Sequence, residues 1–185
     1  MAVIKSVPKI GKGRPISKRS KIHIFRAEDI ETFPPVAADG VSSSGNLTLK
    51  TGKKGWTVYV TSQSLSRSDK TEGDYPSTAF LSTVTGVYPG NNRYIDSLIN
   101  ELAGDDLILI TGECEEEMKN KLHGAICAPM ALTSENADDN ETNTRTLTFT
   151  QTNRYHRMSM YYDGEIPTAI EEEATEDGSS ALGGA

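Results

Sequence analysis

Cysteine is scarce in this chain, with Cys114 and Cys127 the only two among 185 residues. Two thiols cannot staple a disulfide scaffold, and such sparing use points to a reducing compartment. Long apolar runs are missing too. Leu107-Ile108-Leu109-Ile110 is the longest, far short of the ~18 residues that a membrane-spanning helix needs. The opening residues, Met1-Ala2-Val3-Ile4-Lys5-Ser6-Val7-Pro8, lack the apolar stretch of an export signal. These absences argue against a membrane protein, an exported protein and a disulfide-rich one. What remains is a polar chain of mean hydropathy -0.46. Its length corresponds to one domain of roughly 150 residues with flanking segments, enough to bury a core without covalent staples.

Charge is distributed unevenly. Residues 1–22 hold Lys5, Lys9, Lys12, Arg14, Lys18, Arg19 and Lys21 with no acid, and residues 163–185 hold seven acids with no base. The formal total is -7, so the opposite ends cancel and the body between them is itself at -7. A protein that grips nucleic acid through phosphates needs clustered Lys and Arg. This body argues against a tight grip.

The ends read as appendages. Residues 1–20 form a basic arm whose Gly11-Lys12-Gly13-Arg14-Pro15 has neither helical nor strand periodicity. Residues 168–185 read as an acidic disordered tail, too poor in apolar residues to offset the entropy of ordering. Between them, 20–167 is expected to be one β-rich domain. Thr, Val and Tyr dominate alternating segments at 21–26, 46–50, 56–61, 79–88, 145–151 and 155–162. Residues 51–55 suit a hairpin loop between two of them. Leu107–Thr111 is apolar on both faces, as a central buried strand requires, and a hairpin to 124–126 is a more economical reading than a second helix over 115–122. One helix stands out. Ile95, Leu98, Ile99 and Leu102 recur at i, i+3, i+4 and i+7, with Asn91 or Asn92 as cap and Gly104 as terminator. The expected fold is mainly β: an antiparallel β-sandwich or barrel with one amphipathic α-helix packed on it, Ile99 at the centre of the buried stripe.

Two polar stretches, 34–45 and 63–77, are long for loops inside a compact domain. Gln63–Tyr75 has Leu65 as its only aliphatic residue. It is therefore expected to extend as a strand and make contacts between subunits rather than within one through Leu65, Arg67, Asp69, Lys70 and Glu72, the charged ones together with Asp74 fixing the register.

No reactive constellation emerges. His23, His123 and His156 lie in separate contexts without a nucleophile at a catalytic spacing. Cys114, His123 and Cys127 are too loosely spaced for zinc, and burial as small hydrophobes is the expectation for both thiols. Glu113 and Glu115–Glu117 match no metal loop and read as a solvated edge, as Asp138–Glu141 reads as an exposed loop. The two Gly/Lys stretches are not phosphate loops. Tyr155, Tyr161 and Tyr162 suit strand packing better than a base-stacking platform. Catalytic, cofactor-binding and metal residues are accordingly none, and an enzyme is the least favoured class.

The pattern resembles the tail tube proteins of long-tailed bacteriophages, which are related to the inner tubes of contractile injection systems. The resemblance rests on the β-rich body with one helix after a turn, the long polar loop and the acidic charge. It rests also on Gly104–Thr111, Leu122-His123-Gly124, Cys127–Leu132, Thr144–Thr152 and Tyr162-Asp163-Gly164. It implies a virion structural protein, assembled in the host cytoplasm. Hexameric rings would stack into a conduit for DNA, with arm and long loop reaching the next ring. The partners implied are other copies of the chain, tail proteins such as tape measure and terminator, and DNA in transit, with no membrane. A head-decoration or head–tail connector protein, and a nucleic-acid-binding β-barrel, are the alternatives.

Overall fold

The computed structural model describes residues 17–61, 63–114, 120–139 and 141–167. The acidic tail and all but the last residues of the basic arm lie outside them. In chain order the strands are β1 (Lys18–Arg26), β2 (Ile30–Thr32), β3 (Thr48–Leu49), β4 (Trp56–Tyr59), β5 (Ser66–Glu72), β6 (Ala79–Pro89), β7 (Leu107–Glu113), β8 (Asn120–His123), β9 (Met130–Asp138), β10 (Asn143–Gln151) and β11 (Met160–Tyr162). One α-helix, α1 (Arg93–Leu102), joins β6 to β7. The fold is mainly β and antiparallel, as expected, and strand begins at Lys18, so the last three residues of the expected arm, 18–20, belong to β1.

A nine-stranded sheet runs β11-β8-β7-β9-β10-β6-β5, with β1 on β7 and β4 on β1. β1 lies along one side of β7. The other side is shared: Leu109–Thr111 pairs with β8 and Leu107 meets Met130 of β9. The sheet curls without closing into a barrel. Near one end β4 almost completes it, where the Thr61 amide donates to the Val87 carbonyl of β6 at 2.7 Å. Gly86 permits that approach, since a Cβ there would stand 2.8 Å from Val60 Cγ1.

β7 is buried along its whole length. Its alternate side chains feed two cores. Leu107 and Leu109 join Ile22, Ile24, Val58, Val84, Leu147 and Phe149 inside the curl. Ile108 and Ile110 join Phe25, Leu47, Leu122 and Tyr162 on the far side. Tyr162 fastens that second core: its hydroxyl accepts from the Leu47 amide at 2.9 Å and donates to the Glu165 carbonyl at 2.6 Å.

Helix α1 forms where its stripe predicts. The Asn92 side-chain oxygen accepts from the Tyr94 and Ile95 amides at 3.1 and 3.0 Å, an N-cap. Gly104, at φ +89, takes the left-handed conformation that ends the helix. Ile95 and Leu102 are the deeply buried members of the stripe, while Leu98 and Ile99 are half-buried against the same core. The stripe's buried centre is therefore not Ile99.

Other boundaries differ from the sequence reading. Residues 46–50 and 56–61 do not form a hairpin: β3 pairs with β2 and β4 with β1. β7 does form a hairpin, but with 120–123 rather than 124–126, which also excludes a helix at 120–122; residues 115–119 lie outside the described ones. Only 160–162 of the expected strand 155–162 is strand, with Tyr155 making a single bridge to Phe80. β9 has no counterpart in the sequence reading. Residues 34–45 are a structural loop: Ser42 bridges to Tyr161, and the Ser43 amide donates to the Tyr161 carbonyl, so the loop covers the outer edge of β11.

Leu102→Ala is expected to lower unfolding free energy by about 2–5 kcal/mol through lost burial and the cavity left behind. Ile99→Ala, removing a half-buried side chain, should cost less than half as much. Urea denaturation of the two variants checks the order; equal losses would mean that the helix is rotated about its axis.

Candidate functional site

The segment expected to leave the domain is held inside it. β5 pairs with β6 along its whole length, from Ser66↔Thr85 to Glu72↔Ala79. Leu65 enters the main core. Arg67 and Asp69 sit opposite the buried Val84 and Ser82 and point inward with them. The expectation of contacts between subunits rather than within one is thus corrected for Leu65, Arg67 and Asp69. Polar side chains, not apolar ones, fix this strand, which is why an apolar count missed it. Lys70 and Glu72 pair with each other at 3.0 Å near the surface.

The inward groups form a connected network. Arg67 makes an ion pair with Glu113 of β7, both side chains nearly buried, so Glu113 is not part of a solvated edge. The same guanidinium reaches Thr111 Oγ1 at 3.4 Å. Thr111 Oγ1 lies 2.9 Å from His123 Nε2, and His123 Nδ1 lies 2.8 Å from Ser159 Oγ. Ser159 Oγ donates to Asp69 at 2.7 Å, and its amide donates to the same oxygen at 3.2 Å. Ser82 Oγ also donates to Asp69. Because Ser159 spends its proton on Asp69, it must accept from His123 Nδ1–H. His123 Nε2 then accepts from Thr111. Donors point one way along the chain, from the Arg67 cation to the Asp69 carboxylate, an alignment in which each bond polarises the next.

Ser, His and Asp thus meet, but not as a hydrolase triad. There, histidine stands between serine and aspartate and draws the serine proton. Here serine is in the middle and its proton points at the carboxylate. His123 is 1% exposed. Burial, the largest cause, lowers its pKa to about 3, with Arg67 and Lys121 acting in the same direction and Asp69 opposing. Burial would raise the Asp69 carboxyl, but the hydrogen bonds from Ser159 and Ser82 outweigh it and leave the group below its usual range. A neutral histidine and an ionised aspartate suit a structural clamp tying edge strand β5 to β7, β8 and the residues before β11.

The remaining candidates do not converge. His23 is half-buried, with Nδ1 3.0 Å from Thr57 Oγ1, and burial, then Lys21 and Arg19, lower its pKa. His156 is exposed. Cys114 and Cys127 are both exposed free thiols, not the buried hydrophobes expected; each sits at a turn beyond a strand end. Among the described residues no group of three His, Cys, Asp or Glu is placed to hold a metal, and no helix is long and apolar enough to cross a membrane. Tyr162 is buried, Tyr161 is exposed beneath the Lys121 ammonium, and Tyr155 rests against His156, so the three share no face. Asp139 orders its loop by accepting from the Glu141 and Thr142 amides, which turns β9 into β10.

Two surfaces stand out instead. One is the outer face of β9-β10-β6-β5. Register aligns Thr133, Thr148, Thr85 and Ser66 in one row across the four strands, and Ala131, Thr150, Thr83 and Ser68 in the next. The rows carry hydroxyls and no charge. The other is a groove between β4 and α1 lined by Trp56, Tyr59, Tyr88, Tyr94 and Leu98. The sequence held both only implicitly, because each depends on which strands become neighbours.

Set against protein-family models, curated proteins and solved structures, the chain matches none.

A group whose pKa falls from about 6.5 in the unfolded chain to about 3 in the folded one binds fewer protons folded than unfolded between those values. His123 therefore stabilises fully above pH ~6.5, and that contribution drains away as pH falls toward 3. The expected result is a urea midpoint that drops across this window with a slope approaching one proton, and a shallower slope in His123→Gln. Parallel slopes would mean that other groups carry the acid sensitivity.

Proposed function

We propose that this chain is a structural subunit of a phage tail tube, assembling side by side into rings that stack into a conduit. The observation that carries the reading is the four-strand unit β9-β10-β6-β5. Among the described residues β5 has no strand on its outer side, and β9 has none beyond Met130. An unpaired edge is a template for another chain. The four strands alternate in direction, so β5 of one copy meets β9 of the next in antiparallel sense under cyclic rotation, and the ladder continues unbroken. Repetition closes a barrel that no single copy closes. β9 carries Glu135 and Asp138 without a base, so pairing β9 with itself would set acid against acid; β5 carries both signs.

The hydroxyl rows then line the lumen. A conduit must not hold its cargo: the two hydroxyl rows offer phosphates no cation, and Lys70, which shares their face of β5, is engaged by Glu72 at 3.0 Å. The same rows weigh against the nucleic-acid-binding alternative, which needs cations and stacking aromatics on the binding face. Other copies, tape-measure and terminator proteins, and DNA in transit are the partners this reading entails. Polymer length separates it from a decoration or connector protein.

Negative-stain images of the purified protein are expected to show rings or tubes with a central channel; monomers at every concentration would overturn the reading. Thr85→Lys with Thr148→Lys sets two cations in one lumen row. Such assemblies should retain duplex DNA at ~150 mM salt, where native ones release it. Equal release from both would place the hydroxyl rows away from the channel.

A further inference from the structure

The curl has two loosely held places. One is the seam between β4 and β6, bridged by the Thr61–Val87 hydrogen bond and flanked by the aromatic groove. The other is β5. Its single strand neighbour among the described residues is β6. Leu65, leading into it, is buried, and past that residue the strand is held inward by Arg67 and Asp69. Strands with few buried apolar contacts open at lower free energy than the core around them. β7, buried throughout, belongs to that core. Opening β5 withdraws Arg67 and Asp69, the two ends of the hydrogen-bond chain that runs through His123. A crevice of about 10 Å³, roughly the room of one water, is lined by Ser82, Arg157 and Ser159. Ser159 also touches His123, so one side chain separates that space from the imidazole.

We propose that β5 is an acid-released strand: a proton taken up at His123 Nε2 frees it from β7 and β8 while the rest of the sheet stays folded. The device works within one chain, whether or not copies assemble. The closed form leaves that proton no place. Nδ1–H already donates to Ser159, and Nε2 accepts from Thr111 at 2.9 Å. A hydrogen on Nε2 would meet the hydroxyl hydrogen of Thr111 head on. The hydroxyl can turn to accept it, but its oxygen also faces the Arg67 guanidinium at 3.4 Å. Two cations would then share one oxygen, and the hydroxyl proton would lose its acceptor. The charged groups around the ring do not relieve this. Arg67 of β5 and Lys121 of β8 both oppose another positive charge, and Arg157 lines the crevice beside Ser159. Of the carboxylates, Glu113 of β7 is paired with Arg67, and Asp69 of β5 reaches the ring only through Ser159. β6 contributes the uncharged Ser82. With β5 lifted, Arg67 leaves and water solvates the imidazolium.

Hydrogen exchange of the dilute full-length chain reads the opening directly, as protection factors corrected for the intrinsic rate at each pH. At neutral pH the amides of β5 are expected to exchange through an opening of lower free energy than those of β7. Burial lowers the pKa of His123 from 6.5 to about 3 in the closed form, and opening returns it toward 6.5. The closed form is therefore fully favoured above pH ~6.5 and loses ground as pH falls toward ~3. Protection of β5 should drop about a hundredfold between pH ~7.5 and ~4.5, with β7 still the better protected strand. The amide of His123→Gln can give and accept the same two hydrogen bonds without titrating. In that variant the drop should shrink to less than about threefold. Should it not fold, the native curve alone discriminates: histidine sets the onset near pH ~6.5, whereas carboxylates such as Asp69 and Glu113 act only below pH ~5. A flat native profile, an onset below pH ~5, β5 and β7 amides that exchange together at neutral pH, or an undiminished drop in His123→Gln would each overturn the proposal.

Discussion

Burial of β7 on both faces organises everything else. A strand with water on one side serves one core. This one, Leu107–Glu113, serves two, with Leu107 and Leu109 facing the curl and Ile108 and Ile110 facing away. A doubly buried strand must satisfy every backbone group from its neighbours, because no water reaches it. β1 fills one side, and β8 and β9 divide the other. That division sends the chain two ways: β8 and β11 build the outer layer, and β9 begins the four-strand wall. The curl and the seam follow from placing two partners where a regular sheet has one.

At the far end of that wall, β5 faces the opposite problem. Among the described residues it has one strand neighbour, and it has little apolar surface. Leu65 anchors its start, and after that its position depends on Arg67 and Asp69 reaching inward to Glu113 and Ser159. Buried polar networks contribute less net stability than the same volume of packed hydrocarbon, since desolvation offsets most of the attraction. Their effect here is on register. A one-residue slip of β5 would turn Arg67 and Asp69 to solvent and leave Glu113 buried without its cation, an expensive error. The edge strand is held in one register by the cost of the alternatives.

Local pattern made much of the fold legible and long-range pairing hid the rest. The helix was readable because Ile95, Leu98, Ile99 and Leu102 repeat on one face and Asn92 and Gly104 punctuate it, all within thirteen positions. β7 was readable because its apolar run has no alternation. β9 was not: Thr133–Asp138 is exposed on both faces, so neither period two nor burial marks it, and only pairing with β10 makes it strand. β5 was misassigned for a related reason. Its inward residues are Arg67 and Asp69, and their partners Glu113 and Ser159 lie 46 and 90 positions away. The hydroxyl rows escaped notice likewise, since Thr133, Thr148, Thr85 and Ser66 become neighbours only once strand order is known.

The sheet treats its exposed edges in three ways, and the differences carry the functional argument. β11 is capped by the chain's own loop through Ser42 and Ser43. Among the described residues β5, and β9 beyond Met130, have no strand on their outer sides, and both edges are polar. β4 is open and aromatic, with Trp56 and Tyr59 beside Tyr94. A protein whose only need was solubility would blunt all of these alike with lysine, proline or bulges. This sheet instead keeps a polar pair of edges on one wall and an apolar seam elsewhere, two surfaces of different chemistry. In the tube reading proposed above, side-by-side addition would continue the wall and leave the seam for contact in another direction. An assembly that grows in rings and then in length needs two such independent contacts, because one alone yields either a closed ring or an unguided filament.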